Sequence, residues 1–303
     1  MAYLVTGGTG FIGSHLVDEL LAGGEEVVII SNKSDKTIND NLSTVSADIV
    51  DIDQVRSVFT NYNIDGVFHL AAMGVAPASF SNPRQFHDVN ITGTANILIA
   101  AHEAGIDRLV FASSSLVYGK SSSPVLSEDT PFNPLTPYAV SKIAGEMYCN
   151  MFSEQYGLKI SVLRYFNVYG PRQNPDAEFA AAIPKFTDMI LHKKSPIIFG
   201  DGEQSRDFVY VKDIVQANLL AMQRGISGIF NIGSGSQTSL NQLIKMIKEI
   251  SGVDVDVTYK DARAGDVRSV IADISKSKHV LGYSPKYSIY EGLKETVSYF
   301  QNI

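Results

Sequence analysis

One cysteine, Cys149, stands among 303 residues. That excludes a disulfide within the chain and any multi-thiolate metal cluster. No basic block is present: 25 Lys and Arg stand against 32 Asp and Glu, a net charge of -7. A nucleic-acid partner is therefore not expected, and any anionic ligand must be held locally, by single arginines and helix N-termini. No apolar run approaches the ~20 residues of a membrane helix, so no membrane partner is expected. The histidines (His15, His69, His87, His102, His192, His279) are scattered without ligand-like spacing, so no metal site is expected. Met1 leads directly into an apolar stretch, without a basic region and cleavage site, so no signal peptide is expected and the expected compartment is the cytoplasm.

What is there is ordinary for a globular chain, 45% hydrophobic and 19% charged, and long enough for one large domain or two unequal ones. Short apolar runs read as strands at Tyr3–Thr6, Glu26–Ile30, Val45–Ala47, Gly66–Ala71, Arg108–Ala112 and Ile160–Arg164. Helical spacing separates them, at Phe11–Leu21, Pro83–Ala104 and Pro137–Tyr156. This alternation predicts an α/β fold, a doubly wound parallel sheet of Rossmann type covered on both faces. After Gly170 the rhythm loosens, with Pro171, Pro175, Pro184 and Pro196 marking loops. Shorter elements follow at Ile197–Phe199, Phe208–Val211 and Ile229–Ile232, with helices near Leu240–Ile250 and Tyr290–Phe300. The expected division is a dinucleotide-binding domain over 1–166 and a smaller substrate-binding part over 167–303, with segments near 206–232 free to return to the first sheet.

Gly8-Thr9-Gly10-Phe11-Ile12-Gly13 fits G-x-G-x-x-G and, with Gly7, also Gly7-x-x-Gly10-x-x-Gly13. It follows a strand and opens a helix. Glycines there permit a tight turn and close backbone approach to a pyrophosphate, which then faces unpaired N–H groups at the positive helix end. Ser14-His15 follow the last glycine where a P-loop needs Lys and Ser/Thr, which disfavours a nucleotide triphosphatase. The second strand ends Ser31-Asn32-Lys33, without the carboxylate expected for the ribose 2′-OH. Ser31 and Asn32 can hydrogen-bond the hydroxyls of NAD; equally, neutral Ser31 and cationic Lys33 tolerate a 2′-phosphate, which keeps NADP open. Asp48 either binds the adenine amino group or caps a helix beginning near Asp51.

Tyr138-Ala139-Val140-Ser141-Lys142 is Tyr-x-x-x-Lys, with Thr136 placed as N-cap and Pro137 as first helical residue. Phenol and ammonium then lie one turn apart on one face. A phenol titrating near ~10 is a poor base, and bringing it to neutrality requires about 4 kcal/mol. The expectation is that the Lys142 ammonium, a nicotinamide cation and the helix end supply it. Ser113, Ser114 and Ser115 fall just past the carboxyl end of the fifth strand, where ligands of doubly wound sheets bind.

In this order of motifs the chain resembles the extended short-chain dehydrogenase/reductase family, the NAD-dependent epimerases and dehydratases of nucleotide sugars. The resemblance runs through Thr6–Gly13, Asp48-Ile49, His69–Ala72, Asn90, Ser113–Gly119, Tyr138–Lys142, Arg164–Asn167, Gly200–Phe208 and Arg263–Asp266. It implies that Ser114 is the catalytic serine, Tyr138 the acid/base and Lys142 a ligand of the nicotinamide ribose. It adds Ile49, Leu70, Ala71, Ala72, Asn90 and Tyr165 to the cofactor site. On the substrate side it implies Ser115, Asn167 and Phe199, with Arg206 and Arg263 as phosphate partners; structural pairing of those arginines with Asp207 or Asp266 is the alternative. Ser115-Leu116 occupy the positions where dehydratases carry Asp-Glu. Neither can exchange a proton at neutral pH, so the chain is most similar to the UDP-glucose 4-epimerase branch, with bound NAD. Val270, where a bulky tyrosine is often found, implies room for an N-acetyl group. Two rivals stay open: an NADP-dependent nucleotide-sugar 4-reductase and a non-catalytic dinucleotide-sensing protein. Family analogy implies a homodimer formed through Pro83–Ala104 and Pro137–Tyr156.

Overall fold

Helix starts in this chain are written by caps. Asp51 accepts from the amides of Asp53 and Gln54, Thr136 from that of Ala139, and Ser239 and Ser288 close capping boxes with Gln242 and Glu291. The computed structural model describes residues 1–31, 40–176, 180–262 and 268–302. Its first part runs β1 (Ala2–Thr6), α1 (Phe11–Ala22), β2 (Glu26–Ser31), β3 (Leu42–Ser46), α2 (Ile52–Asn61) and β4 (Gly66–His69). Next come α3 (Pro83–His87), α4 (Gly93–Glu103), β5 (Arg108–Ser114), the short β6 (Val125–Leu126), α5 (Pro137–Tyr156) and β7 (Lys159–Tyr165). The remainder comprises β8 (Asn167–Tyr169), α6 (Ala182–Leu191), β9 (Ile197–Phe199), β10 (Ser205–Arg206), β11 (Phe208–Tyr210), α7 (Val211–Arg224) and β12 (Gly228–Ile232). It closes with β13 (Thr238–Ser239), α8 (Leu240–Ser251), β14 (Thr258–Lys260), β15 (Ile271–Ala272), α9 (Ser275–Leu281) and α10 (Ile289–Gln301).

Seven strands form one parallel sheet in the order β12-β7-β5-β4-β1-β2-β3. This is the doubly wound arrangement expected from the alternation of strands and helices. Apolar clusters cover both faces, Leu16, Phe68 and Val110 on one and Leu4, Val67 and Phe111 on the other. The strand order reverses between β1 and β4, so a crevice opens beyond their carboxyl ends. β12 comes from the second half of the chain and pairs with β7 from Gly228↔Ser161 to Ile232↔Tyr165. A third cluster, with Ile183, Phe186, Phe208 and Leu243, lies among α6, β11, α8 and α10.

Four expectations need correction. The run Pro83–Ala104 is not one regular helix: a π turn at Asp88–Thr92 separates α3 from α4. Its cause is local packing, since Gly93 lies against Ile49 while Asn90 is drawn to Met73 and Ser141. Ser113 and Ser114 are not past β5 but its last two residues. β3 begins at Leu42 rather than Val45. Helix α6 stands where a loop was expected, and α7 where no element was assigned; Pro184 falls in the first turn of α6, where the missing N–H costs no helical bond.

Candidate active site

The glycine turn is held by its own backbone. Gly7 has φ +72°, and a Cβ there would lie 2.8 Å from the Ala71 nitrogen. A Cβ on Gly13 would run into the Gly7 carbonyl. Gly10 caps α1 with no side-chain hydrogen bond, so the first-turn amides of that helix face the crevice. Across it, His69 of β4 lies buried between Thr6 (2.7 Å) and Thr94 (2.9 Å) and stacks on Phe111. Burial and the nearby Lys142 charge push its titration down to about 3, so it is a neutral structural residue at neutral pH. The Thr6 hydroxyl also receives the Ala71 amide, which fixes the Leu70–Ala72 wall.

The opposite wall is α5. Tyr138 lies in its first turn, its amide on the Ser79 hydroxyl and its ring edge-on to Phe86. Ser114, the last residue of β5, borders the same cleft as Tyr138. Lys142, one turn on and 4% exposed, donates to the Ala112 carbonyl at 2.8 Å. Its Nζ lies 5.9 Å from the Tyr138 ring centre. Together the turn and α5 enclose a cleft of about 390 Å³. Gly7, Gly10, Phe11, Ile12, Gly13, Leu70, Ala71, Ala72, Ser114, Tyr138, Lys142 and Tyr165 line it, all residues singled out in the sequence. These residues fit a dinucleotide: bare amides for the pyrophosphate, and a phenol, a hydroxyl and an ammonium beside the nicotinamide position.

The electrostatics differ from the sequence expectation in one respect. Burial raises the Tyr138 phenol above its ordinary value, and only the polar Ser114 side chain opposes this. The Lys142 ammonium is spent on the strand carbonyl and is itself pushed down to about 8 by burial. The protein's own groups thus poise the lysine rather than acidify the tyrosine.

A second cavity, about 280 Å³, holds Asn167, Arg206 and Phe208 and shares Val168 with the first. The Arg206 Nη1 donates to the Ser205 carbonyl. The Asp207 carboxylate is taken up by Ser234, Gly235 and Ala272, a structural role. Phe199 gives its carbonyl to Gln204, which borders that cavity. Ser115 opens a short 3-10 turn, and Val270 packs, partly buried, on the main core.

Other candidates sit one step back. Asn90 holds the Met73 backbone and the Ser141 hydroxyl, and Ile49 is buried against Gly93. Asp48 accepts the Val50 amide, while Asp51 itself caps α2. Ser31 ends β2, its hydroxyl 3.5 Å from that of Thr9. Asn32, Lys33 and Arg263 fall outside the described residues. Gln173, which sequence reading passed over, borders the cleft with its Oε1 buried and unpartnered. It lies in a proline-flanked loop with no periodic signal.

The sequence pattern of the NAD dependent epimerase/dehydratase family matches residues 3–233. The chain belongs to this family. A crystal structure of UDP-glucose 4-epimerase with UDP-glucose from Thermotoga maritima is 42% identical, with TM-score 0.94, over 100% of this chain and 99% of that one. UDP-N-acetylglucosamine 4-epimerase from Methanobrevibacter ruminantium is 40% identical, with TM-score 0.93, over 99% and 98%. The Thermus thermophilus UDP-glucose 4-epimerase in complex with NAD is 33% identical, with TM-score 0.90, over 99% of each chain. Membership in the epimerase/dehydratase family accounts for the co-location of glycine turn, serine, tyrosine and lysine. No helix of the described residues is long and apolar enough to cross a membrane.

Proposed function

We propose that this protein is a nucleotide-sugar 4-epimerase that interconverts UDP-glucose and UDP-galactose on a tightly held NAD. The observation that carries the reading is the presence of Ser114, Tyr138 and Lys142 in the same cleft as the Gly7–Gly13 turn. Tyr138 receives the 4-OH proton of the sugar, and Ser114 holds the same oxygen as its charge changes. A nicotinamide held by the Gly7–Gly13 turn and Lys142 would supply reversible hydride exchange at C4 of the sugar. Lys142, fixed by the Ala112 carbonyl, holds the ribose and supplies positive charge. Ser115 and Leu116 offer no acid/base pair for loss of water, which separates this site from dehydration. Asn167 and Arg206 hold the pyrophosphate, with Arg263 a further phosphate partner.

The acetylated pair UDP-GlcNAc/UDP-GalNAc belongs to the same proposal, supported by the small Val270 and by the likeness to the Methanobrevibacter enzyme. The exposed apolar face of α5, with Val140 and Met147, supports a homodimer. A lone buried cysteine and a nucleotide-linked substrate suit the cytoplasm.

The test uses purified protein with no added nicotinamide. Conversion of UDP-galactose to UDP-glucose, with NAD released on denaturation and identified by mass, is expected. In a parallel assay with added NADPH, its stoichiometric consumption with no interconversion in either assay would replace the epimerase by a reductase. Turnover of the UDP-glucose pair alone would remove the acetylated substrates.

A further inference from the structure

Behind the reacting groups lies a charged cluster that the chemistry above does not use. Glu146 is four residues beyond Lys142 on α5, hence on the same face. Its carboxylate accepts Ser113 Oγ at 2.5 Å and two arms of Arg164, Nε at 3.0 Å and Nη2 at 2.7 Å. Glu146 and Arg164 side chains are 2% and 1% exposed. Register explains the meeting: Ser113 of β5 pairs with Arg164 of β7, and both reach α5. Two consecutive residues of β5 are thus each tied to a different turn of α5, the Ala112 carbonyl to Lys142 and Ser113 to Glu146, with Ser114 next along the strand.

A buried ion pair often adds nothing to stability, while breaking one leaves an uncompensated charge. Here Glu146 and Arg164 are buried in contact and Lys142, also buried, lies one helical turn before Glu146, two cations and one anion in all. We propose that Glu146 is a positioning residue for the active site: it neutralises Arg164, so that Lys142 remains an ammonium, and it anchors Ser113 beside Ser114. This inference rests on the reading of Ser114, Tyr138 and Lys142 as the reacting set.

The remaining groups around Lys142 cannot take over. His69 from β4 is neutral at working pH. Cys149 from α5 and Tyr165 from β7 are protonated, their titrations raised by burial, and Tyr138, raised likewise, ionises only beside the bound nicotinamide. Against the desolvation that lowers Lys142 act Cys149 and then Glu146, and of these Glu146 is the carboxylate. The far side of Arg164 is closed by the Tyr118 hydroxyl at 2.8 Å and the Glu128 carbonyl at 3.2 Å, so the guanidinium has no other anionic partner there.

Glu146→Gln and Arg164→Met change the charge around Lys142 in opposite senses, and either one alone decides the matter if the other fails to fold. Lys142 is titrated by NMR in lysine-labelled protein with its cofactor bound, its resonance assigned by loss in Lys142→Arg. The alkaline limb of sugar interconversion is measured alongside. From a midpoint about 8, Glu146→Gln is expected to lower the titration by about one pH unit or more, and Arg164→Met to raise it. No movement, or movement of both in one direction, overturns the inference, since a merely structural role would alter stability without opposite shifts. If the lysine titration moves as expected while the alkaline limb stays fixed, the charge relation stands and the catalytic reading of Lys142 fails instead.

Discussion

A lysine 4% exposed is costly to keep charged. Lys142 titrates at about 8 instead of 10.5. Because its folded value is lowered, burial destabilises the fold fully below pH 8, and the penalty fades as pH rises from 8 towards 10.5. Lys142→Met keeps the apolar stem and removes the charge. It is expected to raise the melting temperature by a few degrees, about 2–4 °C for each kcal/mol recovered, while abolishing turnover. Calorimetry between about pH 7 and the ordinary lysine value of 10.5 should show that advantage shrinking; a variant less stable at neutral pH contradicts the account. Tyr138→Phe isolates the other end of the pair. The ring keeps its edge contact with Phe86, so fold and cofactor content should be retained. Proton transfer is lost, and kcat should fall by about 10²–10⁴, as steady-state rates on UDP-galactose will show.

At the scale of elements, the site is where a turn and a helix meet the end of a sheet. Gly13→Ala would press a methyl group against the Gly7 carbonyl. The turn must open, so cofactor retained through purification should fall from near one per chain to a small fraction, read by absorbance and mass of the released nucleotide. Full retention would show that the turn does not grip the pyrophosphate. These elements were legible because each carries a local rule. α5 is marked by a cap, a proline at its first position and a long apolar face, and runs from Pro137 to Tyr156 as read. β1, α1 and the turn between them are marked by glycine spacing. What escaped lacked such a rule. α7 buries Ile214, Ala217 and Ala221 at helical spacing, a pattern the sequence reading left unassigned between the runs at Phe208–Val211 and Ile229–Ile232. The π turn arises from side chains meeting across space, as does the Ser113–Glu146–Arg164 cluster, whose members lie on three elements. No pattern along the chain marks either. Sequence likewise cannot show that Nζ of Lys142 is committed to the Ala112 carbonyl, which leaves the acidity of Tyr138 to the nicotinamide cation and the helix end.

At the scale of the molecule, one face of α5 lines the cleft and another is exposed. Buried Tyr138, Lys142 and Glu146 mark the first, while Val140, Met147 and Tyr148 are 51%, 60% and 38% exposed. Leu135, just before the helix, is 48% exposed, and Pro83 and Ile91 border the same depression. An apolar strip on the helix that bears the reacting groups suits a two-fold interface in which α5 packs against its copy. Pairing there would stiffen the helix from outside and steady the phenol and ammonium within. The expectation is a particle of two chains by analytical ultracentrifugation at micromolar concentration. Met147→Glu with Tyr148→Glu places charges on the strip without touching the cleft, and should yield single chains. If stiffening matters, those single chains should stay folded yet turn over more slowly, with KM less affected than kcat. A wild-type protein that sediments as one chain would remove the dimer and leave the strip without its proposed partner.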